Sequence, residues 1–426
     1  MDALLKKACI DFADKLGFYL GRKFSAPFTP AEHVYFSLTN RCNLSCQMCE
    51  ISRNPSRKED ELSTAQIKDI ILQIKDMGIR HVIFSGGEPL LREDLLEIVE
   101  FATAQGLAMV DIITNGALLD DSIIEKLIRA RVNHITISLD GMGEVNDLIR
   151  GSGVFEKAAR NIDKVNFYKA KHHSSSPSVG INFTVMDKNI DDILPMVSFA
   201  RSKGCNIVVF QPILFNNTKM YEKKTNALWV SRPHIVKLKK IIARVIELKH
   251  SLDDLYIYTD TQVLKALPGY FRGERPKGNF KCYEGIKRIV ITCSGTLWSC
   301  LGLYGDLRTQ GLKEAWFSAE MSRLRKESKR CKEHCLQDCV YFPSDIHREF
   351  AGVLDRIRGA SRQEKEQLRE ILLSRIDGYA RILSGKADTQ SPGLFQRIKL
   401  LYELNRLRGM RRKVSGIKSL ASDNLL

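Results

Sequence analysis

Apolar residues along this chain recur with two different periods, and the alternation between those periods lays out the molecule. Residues 2 to 20 place Leu5, Cys9, Phe12, Leu16 and Tyr19 or Leu20 at helical spacing. That pattern predicts an amphipathic helix packed on the core as an N-terminal cap and broken by Pro27 and Pro30. From His33 to Pro212, short β-branched runs alternate with amphipathic helical stretches. The predicted strands are Val34–Leu38, His81–Phe84, Met109–Ile113, His134–Leu139, Ser178–Val185 and Asn206–Phe210. Helices are predicted between them over 63–77, 92–105, 120–131, 154–170 and 189–203, the first with Ser63 as N-cap ahead of Gln66. Strict alternation implies parallel strands joined by right-handed crossovers. Six such units give an α/β fold, a partial (β/α)6 TIM-like barrel, in which chemistry belongs at the C-terminal strand ends.

Beyond the sixth unit the pattern changes. A helix is predicted from Ser231 to Lys249, then an apolar stretch from Tyr256 to Leu267 and a Gly/Pro/Lys-rich linker from Pro268 to Gly278. Residues 282–300 alternate apolar and polar positions on two arms around Ser294-Gly295, which predicts a β-hairpin. A helix leads on to Lys329, and the tail from Phe342 is mostly helical. The expected organisation is therefore an N-terminal helix over 1–32, a barrel core over 33–215, a helical bridge over 216–281, a small α+β domain over 282–342 and a helical tail over 343–426.

Composition adds compartment and charge. A chain of 426 residues with 44% apolar and 27% charged residues can bury a full core. No apolar run reaches the roughly 18 residues of a membrane span, and Asp2, Asp11 and Asp14 are foreign to a signal peptide. Nine of the 11 cysteines fall in three groups (42/46/49, 282/293/300 and 331/335/339), a grouping that points to metal ligation in a reducing, cytoplasmic setting rather than to a disulfide framework. Cys9 and Cys205 read as core residues. Net charge is +16, and between Ser391 and Leu420 eight Arg or Lys face Glu403 alone. With Leu394, Ile398, Leu401 and Leu404 at helical spacing, the last helix is basic and amphipathic, suited either to packing on its own domain or to lying on an anionic membrane surface. Aromatic interleaving and zinc-knuckle spacing, which nucleic acid would call for, are missing.

The chemistry is concentrated in Cys42, Cys46 and Cys49, spaced C-x3-C-x2-C directly after the first strand. Such soft thiolates bind zinc or iron–sulfur. A structural zinc site wants a fourth local ligand, and the nearest candidate is the distant His81. Three ligands leave one cluster iron open. At the end of the second strand, Ser85-Gly86-Gly87-Glu88-Pro89 offers two glycines that let backbone approach a ligand closely and a carboxylate able to accept from an ammonium.

Together these motifs resemble the radical S-adenosylmethionine (SAM) superfamily, whose GGEP motif is matched in full. The resemblance implies a 4Fe-4S cluster on Cys42, Cys46 and Cys49 that chelates SAM through its amino and carboxylate groups. It further implies reductive cleavage to a 5'-deoxyadenosyl radical for hydrogen abstraction, and an external one-electron reductant of flavodoxin or ferredoxin type. By the same resemblance Gly86, Gly87, Glu88 and Pro89 hold the SAM amino group. Asn115, Ser138, Asp140 and Arg150, at the next strand ends, match positions that bind the rest of SAM. Gln211, closing the sixth strand, is a candidate contact on the adenine or substrate side. The catalytic base or radical-quenching residue has no sequence signature.

The C-terminal cysteines resemble the SPASM auxiliary-cluster extension, or its shorter twitch form. Six cysteines stand where the full SPASM pattern has seven, and Cys293 occupies a hairpin position usually filled by another residue. The expectation is one auxiliary 4Fe-4S cluster on Cys282, Cys300 and two of Cys331, Cys335 and Cys339, with a zinc ribbon as the alternative. Substrates implied by the family range over small molecules, sugars, lipid-linked precursors and peptides, the last in a maturase. A non-catalytic, metal-stabilised binding protein is the reading from another class, and iron and sulfide analysis with SAM added separates it from an enzyme.

Overall fold

The first strand of the barrel lies in the interior of one continuous sheet rather than at its edge. The computed structural model describes residues 3–53, 55–214, 227–275, 280–332, 335–337, 340–341, 346–389 and 394–417. Cys339, part of the 216–281 bridge and the end of the predicted linker fall outside them, as do the side chains of Leu394 and Ile398. Six strands follow the predicted runs: β1 (His33–Thr39), β2 (His81–Gly86), β3 (Met109–Thr114), β4 (His134–Ser138), β5 (Ser178–Val185) and β6 (Ile207–Pro212). A two-residue β7 (Tyr256–Ile257) continues them in parallel. Alternate residues such as Val34, Phe36 and Leu38 are fully buried, as the two-residue period of a strand requires.

Helices α2 (Thr64–Asp76), α3 (Leu95–Ala104), α4 (Asp121–Arg129), α5 (Gly143–Arg150), α6 (Val154–Lys171) and α7 (Ile193–Ser202) make the crossovers, followed by α8 (Arg232–Ser251) and α9 (Thr261–Phe271). Helix α2 starts in a capping box: Ser63 Oγ accepts from Gln66 N at 3.3 Å, and Gln66 Oε1 accepts from Ser63 N at 2.9 Å. Two differences from the sequence pattern stand out. Helix α5 is eight residues long and begins at Gly143, with no side-chain cap to announce it. Pro268, expected to open a linker, instead lies inside α9, because Leu264, Leu267, Tyr270 and Phe271 bury one continuous face and override the proline's missing donor.

Past the short β8 (Lys281–Cys282), the predicted hairpin forms as β9 (Arg288–Ile291) and β10 (Thr296–Ser299), extended by β11 (Gly302–Asp306). Gly295 turns it at φ +86°, a left-handed conformation natural to glycine. The hairpin does not stand apart. Strand β9 pairs in parallel with β1, so the sheet runs β11-β10-β9-β1-β2-β3-β4-β5-β6-β7. Residues 30–342 thus form one compact unit in which the barrel and the small C-terminal fold share strands. Helices α10 (Leu312–Phe317) and α11 (Ala319–Ser328) follow, and β12 (Val340–Tyr341) returns to pair with β8.

A second compact unit gathers residues 1–29 and 343–426. Its helices are α1 (Ala3–Phe24), α12 (Ile346–Gly359), α13 (Arg362–Thr389) and α14 (Leu394–Ser415). The apolar stripe of α1, predicted to cap the barrel core, is buried with the tail: Cys9, Phe12, Leu16 and Leu20 share a core with Phe350, Leu372, Ile376 and Leu407. Phe12 stacks on Phe350 at 5.4 Å. Helix α14 puts Leu404, Leu407, Met410 and Val414 into that same core. Among the described residues no helix is long and apolar enough to cross a membrane.

Candidate active site

The two glycines at the end of β2 are required by the cysteine loop that runs over them. A Cβ on Gly86 would stand 2.2 Å from the Thr39 carbonyl oxygen, and one on Gly87 2.2 Å from that of Arg41. Gly86 also sits at φ +143°. In this close approach Gly87 N donates to Thr39 O at 2.7 Å and Glu88 N to Arg41 O at 2.9 Å. Two sequence motifs 37 or more residues apart are thereby laid backbone to backbone at the C-terminal ends of β1 and β2.

Glu88 is fully buried. Its Oε1 accepts from Leu90 N at 3.1 Å and Thr114 Oγ1 at 2.7 Å, and its Oε2 accepts from Asn115 N at 2.8 Å. Three of the carboxylate's four acceptor positions are taken, so its principal task in this structure is to stitch the β2 loop to the β3 loop. Burial raises its pKa against these hydrogen bonds and the nearby Arg150. Asn115 continues the stitch, donating from Nδ2 to Asn43 Oδ1 of the cysteine loop at 2.8 Å. Pro89 is buried in the short turn that follows.

Asp140 has no exposed surface; it accepts from Thr184 N at 2.6 Å and pairs with Arg150 Nη2 at 2.6 Å. Its carboxylate therefore holds the Arg150 guanidinium, which closes α5 directly behind the cysteines. The backbone of α5 reaches the same loop, since Gln47 N donates to Ile149 O at 2.9 Å and Cys46 Sγ lies 3.9 Å from Arg150 O. Ser138 and Gln211 are half-buried at the ends of β4 and β6, in register with Asn182 and Thr184 of β5. The hydrogen bonds and ion pairs thus link Gly87, Glu88, Asn115 and the cysteine loop to one another and Asp140 to Arg150, while Ser138 and Gln211 stand at the ends of their own strands.

Three soft thiols on one loop, backed by the glycine cradle, fit an iron–sulfur cluster with one open iron. Cys46 is buried, and burial pushes its thiol up to about 11 while Arg150 opposes the shift; the Cys42 thiol is also raised by burial. Each of these two thiols also feels the other's neighbourhood, with Cys49 acting on both. Thiols held protonated by burial would give up those protons to solvent when the thiolates bind metal.

At the second cysteine set, Cys282, Cys300, Cys331 and Cys335 act on one another in the same way. Burial raises Cys335 to about 11 and lifts Cys300 further. Cys293 goes elsewhere. Buried in the hairpin, it meets Ser56 and the backbone of Asn40, and its carbonyl accepts from Leu62 N at 2.8 Å, all on the segment that follows β1.

Two groups escaped sequence reading. Glu61 accepts from Arg41 Nε at 3.2 Å, from Ser56 Oγ at 2.7 Å and from Thr39 Oγ1, and it lies 3.6 Å from the buried Arg92. It braces the cysteine loop from beneath, and a carboxylate in a polar stretch carries no signal of that. Asn182, beside Ser138, keeps a buried Oδ1 with no partner among the described residues. A polar residue at an inward strand position was the signal available for it.

Comparison with known proteins follows this division. Residues 36–200 match the model of the Radical SAM superfamily, and residues 282–340 match SPASM, an iron–sulfur cluster-binding domain. The chain is 30% identical over 246 residues to Fe-coproporphyrin III synthase of Methanosarcina barkeri, covering 55% of this chain and 59% of that protein. It is 27% identical over 323 residues to the AdoMet-dependent heme synthase of the same organism, covering 71% and 86%. Mycofactocin maturase MftC of Mycolicibacterium smegmatis is 35% identical over 176 residues, covering 40% and 42%. The match therefore spans less than two thirds of the first and third of these relatives. The fold is similar to that of Streptococcus suis SuiB bound to S-adenosylmethionine, with a TM-score of 0.55, 15% identity and coverage of 72% of this chain and 70% of that one.

Proposed function

This chain belongs to the radical SAM superfamily and carries a SPASM iron–sulfur domain, and from that premise we propose that it reductively cleaves SAM to abstract hydrogen from an organic substrate. The observation that carries the reading is the cysteine loop laid on Gly86 and Gly87, which sets three thiols beside the strand-end groups that would surround SAM. When bound, the cluster supplies an open iron for the SAM amino and carboxylate groups and, once reduced by an external flavodoxin- or ferredoxin-type donor, the electron that breaks SAM into methionine and a 5'-deoxyadenosyl radical.

The chain's own residues then have distinct tasks. Cys42, Cys46 and Cys49 hold the cluster. Gly86 and Gly87 admit the loop, and Glu88 with Asn115 keeps it in register with β3. Arg150, steadied by Asp140, is the cation we assign to the SAM carboxylate, a role that suits a guanidinium. Ser138, Asn182 and Gln211 present polar groups at the next strand ends. Among the described cysteines, Cys282, Cys300, Cys331 and Cys335 are assigned to the auxiliary cluster, with Cys293 outside the set because it faces Asn40 and Ser56.

A small-molecule substrate is favoured by the span of the match to a protein whose name is heme synthase. A peptide substrate is the second reading, favoured by the higher identity to a maturase over 176 residues. An anionic membrane contact would rest on the exposed basic residues Lys399, Arg408, Arg411, Arg412 and Lys413 of α14 with the exposed Leu401 and Tyr402, since Leu404, Leu407, Met410 and Val414 are occupied in that helix's own unit. High salt should then release it from anionic vesicles.

The test of the central reading is anaerobic reconstitution followed by dithionite and SAM. The expected result is 5'-deoxyadenosine and methionine as products, with a cluster spectrum that changes when SAM is added. A reconstituted protein that binds iron yet leaves both SAM and the spectrum unchanged refutes it, and supports a non-catalytic binding protein.

A further inference from the structure

Behind the C-terminal thiols lies a buried ion pair that SAM chemistry at the barrel does not use. Arg288 opens β9, and its Nε donates to Glu284 Oε2 at 3.0 Å with both side chains almost wholly buried. Its Nη2 donates to Gln337 Oε1. Both residues in that grip are themselves donors to a thiol: Glu284 N reaches Cys282 Sγ at 3.5 Å, and Gln337 N hydrogen-bonds Cys335. One guanidinium thus spans two amide donors from segments far apart in sequence, which meet where β8 pairs with β12. Arg288 also faces Cys300 and Cys335 electrostatically, opposing the effect of their burial, while Glu284 adds to it at Cys300.

We propose that the Arg288–Glu284 pair is a positioning device that sets the reduction potential of the auxiliary cluster, an inference that rests on reading Cys282, Cys300, Cys331 and Cys335 as its ligands. Cluster potentials respond to hydrogen bonds on sulfur and to local charge, and the Arg288 fork governs both. One-electron reduction adds one negative charge to the cluster and makes or breaks no bond. A neighbouring cation favours the reduced form and a neighbouring anion disfavours it. With the pair intact these contributions nearly cancel. Losing Arg288 leaves the Glu284 carboxylate buried and uncompensated beside four thiolates; losing the Glu284 charge leaves the guanidinium alone.

The experiment uses the full-length chain carrying Cys42, Cys46 and Cys49→Ala, so that the auxiliary cluster alone is read. Arg288→Gln, Glu284→Gln and the double variant are built in that background and titrated with dithionite under EPR. The expected result is a more negative potential for Arg288→Gln, a more positive one for Glu284→Gln and a return toward the parent in the double variant. Should Arg288→Gln lose its cluster, the sign in Glu284→Gln still decides. Shifts of the same sign, no shift, or loss of the cluster from all three variants overturn the proposal, because a purely structural pair cannot produce opposite displacements. Iron missing already from the parent would instead overturn the ligand assignment beneath it.

Discussion

Gly87→Ala tests whether the cysteine loop depends on the glycine cradle. Gly87 has no left-handed φ, so the substitution adds no backbone strain and its effect is purely steric. The new Cβ would stand 2.2 Å from Arg41 O, 2.7 Å from Arg41 C and 3.0 Å from Asn40 C, all backbone atoms that cannot rotate away. Opening the nearest contact even to 3.0 Å moves the loop by about 0.8 Å, where metal–ligand distances tolerate about 0.2 Å. Arg41 directly precedes Cys42, so the displacement is passed to a ligand. Overpacking together with one or two weakened backbone hydrogen bonds costs about 2–5 kcal/mol. The variant should therefore lose its barrel cluster and SAM cleavage, with a lowered denaturant midpoint, while keeping the iron of the C-terminal set. Gly409→Ala in α14, where a Cβ meets nothing within 4 Å, is the control and should stabilise by about 0.5–1 kcal/mol. Full iron and undiminished SAM cleavage in Gly87→Ala would refute the steric argument.

Four further outcomes are expected. Reconstituted protein should hold about eight irons, about four per cluster, and the Cys42, Cys46 and Cys49→Ala variant about half of them with no SAM cleavage; retained cleavage would move the active centre elsewhere. Glu88→Gln keeps one acceptor oxygen and so leaves either Thr114 Oγ1 or Asn115 N without its acceptor; SAM binding should weaken by on the order of 1.5–3 kcal/mol with iron retained, which a titration that leaves affinity unchanged would contradict. Asp140→Asn strands the buried Arg150 charge and should cost about 3–5 kcal/mol in a urea melt; an unshifted midpoint would show that the pair contributes nothing. Burial tends to raise the Glu61 carboxyl, but hydrogen bonds from Arg41, Thr39 and Ser56 outweigh it and hold the pKa below the usual carboxylate range. Its contribution to stability is thus present above that range and lost as pH falls below it, and Glu61→Gln should flatten the acid limb of the stability profile.

What the sequence determined by itself was everything carried by spacing over a few residues. The change from a two-residue to a 3.6-residue period placed six strands and their helices, because side-chain direction in each element follows from its backbone geometry. The spacing of Cys42, Cys46 and Cys49, and the glycines at the next strand end, announced the chemistry and its position. The turn at Ser294-Gly295 announced the hairpin. Tertiary structure alone decided which buried surfaces meet. The α1 stripe of Cys9, Phe12, Leu16 and Leu20 reads the same whether it covers a barrel or, as here, packs with Phe350 and Leu372 some 340 residues on; periodicity specifies an apolar face, not its partner. Strand β9 could have closed a separate domain, but it takes the free hydrogen-bonding edge of β1. The same long-range meeting gives Glu88 its stitching role, turns Asp140 into the support of Arg150 and sends Cys293 toward Asn40 and Ser56. Each of these turns on a buried polar group finding its partner across the fold, and no local pattern carries that information.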